Sequence, residues 1–168
     1  MDNLRVKATI DKKMKMDVNS SINFEIISSR YNDSNINRPI SVSSSNKNDL
    51  VLKLDLDKSV YNAGDIIIGT INISKLNPDI DIRGIEIILT ATEKATASNR
   101  IVATTIYEEK YKITNWKEKQ SCPFEINIPD VIVKSYRGRY SEIIWEVKAK
   151  IDLPLSQDLD TVTMIEIN

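Results

Sequence analysis

The sequence predicts an all-β protein built as an antiparallel two-sheet sandwich, and three observations predict it. Apolar and polar residues alternate with a period of two through most of the stretch from Leu50 to Ile167. The segments between these runs carry Gly, Pro, Asn and Asp, the residues that make turns. The apolar spacing of three and four that marks a surface helix is missing, and Thr, Ile, Val and Tyr take its place.

Taken in order, Met1 to Asp49 is the exception, rich in Asn, Ser, Asp and Lys. It is expected to be a polar N-terminal arm, partly ordered at most, in which Leu4 to Ile10 and Ile22 to Ile27 are either short strands or partly ordered arms that pair with an edge of the main sheet, and Ser41 to Asn48 is a flexible linker. The arm is expected to lie along a sheet edge, and the sandwich domain to span 50–168. Leu50, Leu52, Leu54 and Leu56 then alternate with Val51, Lys53, Asp55 and Asp57, which gives a half-buried strand. Asn62-Ala63-Gly64-Asp65 is a turn in which Gly64 supplies a positive φ. In the next strand Ile67, Ile71 and Ile73 share a face with Gly69, whose missing side chain admits a close neighbour, while Ile66 and Ile68 face outward.

A strand from about Ile82 places Ile85, Ile87, Leu89 and Ala91 on one face, with Ile88 on the other, and bends at Ala95 to Asn99. Arg100 to Thr114 returns as a long strand, with Ile101, Ala103, Tyr107, Tyr111 and Ile113 on one parity. Glu108-Glu109-Lys110 and Trp116-Lys117-Glu118-Lys119 read as solvated edges. Cys122, Phe124, Ile126 and Ile128 alternate up to Pro129, which stops the strand. Val131 to Tyr140 is a connection, followed by the most regular alternation of the chain: Ile143, Trp145, Val147, Ala149, Ile151 and Leu153. Trp145 on that inward parity is a core plug. Pro154 ends the strand, Gln157 to Asp160 turns, and Thr161 to Ile167 closes the sheet.

Four pieces of this pattern resemble the arrestin-like family. The first is Tyr61-Asn-Ala-Gly64-Asp65 followed by an apolar stretch, Gly69 and further alternation. Ile82-Arg83-Gly84-Ile85-Glu86-Ile87, then Cys122-Pro123-Phe124-Glu125-Ile126-Asn127-Ile128-Pro129, then Ile144-Trp145-Glu146-Val147-Lys148-Ala149 follow in the family's order. The resemblance marks Tyr61, Gly64, Asp65, Gly69, Gly84, Pro123, Phe124, Pro129 and Trp145 as fold-signature residues and implies an immunoglobulin-like, arrestin-like sandwich. It further implies adaptor or scaffold work in signalling or membrane trafficking, as in alpha-arrestins, the arrestin-fold retromer subunit and bacterial sporulation-control relatives. Those relatives act by binding. Family members usually carry two sandwiches, where this sequence has room for one. The polar-core charges and receptor-contacting loops of visual arrestins have no counterpart here that can be placed residue by residue.

Composition narrows the chemistry. The chain contains no histidine and one cysteine, Cys122, which excludes His-dependent catalysis, imidazole zinc sites and an internal disulfide. Cys122 itself reads as a small buried hydrophobe. Four scattered glycines make no phosphate-cradling loop. The acid pairs Asp55/Asp57, Asp79/Asp81 and Glu108/Glu109 fall on strand faces or turns, and neither Asp79/Asp81 nor Asp158/Asp160 has the ligand spacing of a calcium loop. No enzyme activity, cofactor or metal is expected. With 23 basic against 24 acidic residues there is no global field for nucleic acid, and no nucleic-acid partner is expected. The N-terminus has no apolar secretory segment and no run suits a membrane span, so a cytoplasmic location is expected, with membrane association only through a partner.

The expected function is therefore a non-catalytic module that binds an extended peptide or cargo tail at a sheet edge. Lys134, Tyr136, Arg137, Arg139 and Tyr140, interleaved in one connection, are the candidate partner-binding residues. Two alternatives stand beside it: a structural subunit that self-associates as a homodimer through sheet edges, and a secreted immunoglobulin-like adhesion sandwich.

Overall fold

A computed structural model describes residues 4–10, 18–24, 37–45, 50–75, 80–97, 100–114, 116, 120–154 and 157–168. The chain divides into two compact units, Met1–Arg30 and Tyr31–Asn168. In the first, β1 (Leu4–Ile10) and β2 (Val18–Phe24) form an antiparallel hairpin that sets Leu4 opposite Phe24 and Ile10 opposite Val18. The first strand has its expected bounds. The second starts at Val18 rather than Ile22, and residues 25–27 lie outside the described residues.

The second unit is a sandwich of two sheets, all-β among the described residues. One sheet runs β3 (Ile40–Ser45), β4 (Leu50–Leu56), β6 (Ile66–Lys75) and β9 (Ser121–Asn127), all antiparallel. The other runs β5 (Val60–Tyr61), β12 (Leu159–Ile167), β11 (Ser141–Asp152), β7 (Gly84–Ala97) and β8 (Arg100–Lys112), with β10 (Tyr136–Arg137) paired to β11. All its pairings are antiparallel except the short parallel contact of β5 with β12.

Alternation places the core. Leu50, Leu52, Leu54 and Leu56 from β4 point inward against Ile85, Ile87 and Leu89 from β7 and Trp145, Val147, Ala149 and Ile151 from β11, all buried. Each of the leucine, isoleucine and valine side chains contributes about 1.5–3 kcal/mol on leaving water, which is what holds the layers together. Cys122 is buried as expected. Trp145 is fully buried, donates its indole N–H to the Val133 carbonyl at 2.9 Å, and sits 5.2 Å from the Tyr107 ring, centroid to centroid.

The Tyr61-to-Asp65 motif acquires a physical explanation. Tyr61 is buried and its hydroxyl donates to Asp57 Oδ1 at 2.8 Å. The Asp65 N–H donates to the Asn62 carbonyl at 3.0 Å across a turn whose third residue, Gly64, has φ 82°. Asp65 Oδ2 accepts from the Asn62 N–H at 3.0 Å and from Lys58 Nζ at 2.7 Å. Gly69 stands opposite Phe124, whose ring covers the place its Cβ would take, 2.9 Å from the Asp55 carbonyl. Gly84 has no atom within 4 Å of such a Cβ, so no close approach requires glycine there.

Three expectations need correction. The sandwich begins before residue 50, because Ile40–Ser45, expected in the arm and mostly in its linker, pair with β4 along their length. Ile40 and Val42 pack on the core and Ser44 continues their parity, while Ser41, Ser43 and Ser45 are exposed, so a polar composition concealed a period of two. Residues 46–48 lie outside the described residues. The parity of the strand after Arg100 also changes midway. Ala91 pairs with Tyr107 but Thr92 with Thr105, so Ile106 is an extra, bulged residue. Ile101 and Ala103 therefore take the face opposite to Tyr107 and Tyr111. Finally, Trp116 is not a solvated edge residue but packs partly buried against the core. Its neighbours 117–119 lie outside the described residues.

Candidate binding surface

The two sheets finish their edges differently. β9 is seven residues long and carries Pro123, which cannot donate to a further strand. β5 has only two residues. β8, in contrast, has thirteen residues without proline, and among the described residues it pairs with β7 alone. Arg100 to Ile106 are all exposed, Ile101 at 72% and Val102 at 62%. Large apolar side chains on an unpaired edge are what a sheet presents to another strand.

Beside this edge the β9–β11 connection closes over one end of the sandwich. A cavity of about 120 Å³ opens there, with buried Ala91 and Trp145 at its floor, Tyr107 and Ile132 at its sides and exposed Ile106, Val131 and Val133 at its rim. Burial, then a hydrogen bond from its hydroxyl to Glu109 and that residue's charge, push the Tyr107 phenol up to about 12. The wall it forms is therefore uncharged at neutral pH. The bulge at Ile106 turns that side chain toward the cavity instead of away from it, a common use of bulges.

The sequence candidates occupy the second half of the same connection. Lys134 is exposed. Tyr136 and Arg137 form β10, where the Tyr136 ring lies against Gly138 and Arg137 Nε is 3.4 Å from Glu142 Oε2. Arg139 lies over the Tyr140 ring with its guanidinium carbon 5.1 Å from the centroid, and Tyr140 is 62% exposed. The Thr96 N–H donates to the Tyr140 carbonyl at 2.7 Å, which ties the connection to β7. The five residues are thus neighbours along one strap, with Arg137 paired inside its own hairpin. Ile101, Val102, Ile106, Val131 and Val133, the apolar part of the surface, were not singled out by the pattern. Ile101-Val102 and Val131-Ile132-Val133 are apolar at consecutive positions, but so is Ile66-Ile67-Ile68 in a half-buried strand, so the sequence carries no distinctive signal for them.

Of the carboxylates considered for metal binding, Asp79 lies outside the described residues, and Asp158 and Asp160 have basic neighbours. Asp158 Oδ2 is 2.7 Å from Lys150 Nζ and Asp160 Oδ2 is 3.7 Å from Lys148 Nζ.

No protein-family model matches this sequence, and no curated protein matches it. Among solved structures it is similar to Spo0M, a sporulation control protein from Bacillus subtilis, with a TM-score of 0.52 and 17% sequence identity. That likeness covers 77% of this chain and 48% of Spo0M, so the chain spans about half the length of that neighbour. Identity at this level speaks for the fold alone. Together with the two packed sheets, it identifies the chain as an all-β, immunoglobulin-like sandwich of arrestin-like fold.

Proposed function

We propose that this chain is a non-catalytic protein-binding module of adaptor or scaffold type, which takes an extended segment of a protein partner as an added strand on β8. The observation that carries the reading is the open, proline-free β8 edge with Ile101 and Val102 exposed beside the Ile106–Val131–Val133 rim. Main-chain hydrogen bonds along β8 supply affinity, and a side chain seated in the rim supplies selectivity. A cavity of about 120 Å³ suits one aliphatic side chain of the partner. Of the strap from Lys134 to Tyr140, Tyr136 and Arg137 pair with β11 on the side away from β7 and β8, so the reading rests on the rim rather than on them. Likeness to a sporulation control protein of this fold is compatible with such work. A cytoplasmic setting fits a single, buried cysteine.

Selection of binders from a random peptide library displayed on phage tests the reading. Selected peptides should carry alternating apolar residues, and Val102→Lys or Val133→Lys should weaken them by roughly tenfold or more, about 1.4 kcal/mol. Val162→Lys, on the outer face of β12, should leave them unchanged. Failure to select any binder, or binders indifferent to the β8 and Val133 substitutions, overturns it.

A further inference from the structure

The β8 edge has a second property that concerns its own sequence: read in opposite directions about Thr104, the strand complements itself. We propose that a second copy of this chain occupies the edge, with β8 pairing antiparallel to β8 around a two-fold axis at Thr104. This rests on the reading of β8 as a strand-accepting edge and names its resting partner.

A two-fold axis through an antiparallel strand pair sets a residue opposite its own copy and mirrors the rest outward. With Thr104 on the axis, Ala103 comes opposite Thr105, and Val102 opposite Ile106 and Tyr107. The bulge lets two residues face one at that point. Beyond the bulge Ile101 comes opposite Glu108, which already has Lys110 Nζ at 2.9 Å, and Arg100 comes opposite Glu109 on the face of Tyr107. Each contact occurs twice, so the interface has a Thr–Thr pair at its centre, apolar pairs on either side and opposite charges at both ends, the combinations that stabilise facing strands. Moving the axis to Thr105 sets Val102 against Glu108 and Glu109 and takes Arg100 to Lys110 and Tyr111. Moving it to Ala103 sets Arg100 against Ile106 and Tyr107. Charge and hydrophobicity agree best at Thr104.

Among the described residues, Arg100 to Ile106 are exposed on both faces of the strand, and Glu93, Ala95 and Thr96 beside them on β7 are exposed as well. Pairing would extend the sheet across both molecules and set Val102 against Ile106 and Tyr107 of the copy, which gives that exposed side chain a purpose that a solitary edge lacks.

The test is a charge swap. Multi-angle light scattering should show the parent chain passing from monomer to dimer as concentration rises. Arg100→Glu alone and the double substitution Glu108→Lys with Glu109→Lys alone should each remain monomeric, because each sets like charges opposite one another. An equimolar mixture of the two should dimerise again, since the introduced carboxylate of one variant then meets the ammonium group introduced at position 109 of the other. Recovery in the mixture requires both variants to be folded, which separates the interface from a folding defect. A parent chain that is monomeric at every concentration overturns the proposal, as does a mixture that stays monomeric while both variants keep the parent's β-sheet circular dichroism. Binding of the library-selected peptides to the monomeric Arg100→Glu variant is measured in parallel. If they bind while the parent never dimerises, the self-pairing fails and the strand-accepting edge stands. If the parent dimerises through β8 and no peptide binds, the reverse holds.

Discussion

At the scale of single residues, the fold rests on positions where the chain leaves no room. Gly69 has the Phe124 ring and the Asp55 carbonyl against it, so Gly69→Ala overpacks the β4–β6–β9 layer. We expect a loss of about 1–3 kcal/mol in urea unfolding, with Gly84→Ala near neutral by the same measurement. The first was legible in the sequence as a glycine on an otherwise isoleucine face. The absence of any neighbour at Gly84 was not, because a motif records what a residue is and not what surrounds it. Asp65 gives the acid limb of stability. The hydrogen bond from Lys58 holds its carboxyl below the ordinary value of 3.8, with the Asn62 N–H assisting. A depressed folded-state value contributes stability above 3.8 that is lost as pH falls through the folded value. Asp65→Asn should therefore lower Tm at neutral pH, and the gap to the parent should close as the pH drops below that range. A gap that persists in strong acid would contradict the assignment.

At the scale of elements, β3 and β8 show what alternation reveals and what composition hides. The leucines of β4 announce a strand because leucine and charge differ so sharply. Ile40-Ser41-Val42-Ser43-Ser44-Ser45 has the same period with two apolar residues, and serine is also the commonest linker residue, so the two meanings overlap. Packing decides between them: among the described residues the Ser44 hydroxyl is buried without a hydrogen-bond partner. Replacing it with valine should raise stability by about 1 kcal/mol, since an unsatisfied hydroxyl is removed and apolar area is buried. A linker residue would give no change. In β8 the long strand itself was legible, but the bulge was not. Ile106 reads as one more strand residue until its pairing with β7 is known.

At the scale of the whole molecule, the sandwich is anchored from both ends of its chain. Asn37 Oδ1 accepts from the Ser59 and Val60 N–H groups at 3.2 and 3.3 Å, and the Asn168 N–H donates to the Tyr61 carbonyl at 2.9 Å. A chain of residues 31–168 should accordingly unfold at higher Tm than one of residues 50–168, which lacks β3 and leaves the edge of β4 bare. Equal Tm values would return the boundary to residue 50. The same view explains why the binding surface was only half legible. Arg137 and Arg139 stand out in a sequence because charge is conspicuous, whereas the exposure of Ile101, Val102 and Val133 depends on which strands and connections pack over them. No local pattern encodes that packing. The central claim, that β8 is a strand-accepting edge, is tested most directly by amide hydrogen exchange on the full chain with a library-selected peptide present and absent. Slower exchange confined to Arg100 through Tyr107 and the rim at Val131 to Val133 is the predicted result, and unchanged exchange in β8 with protection elsewhere would contradict it.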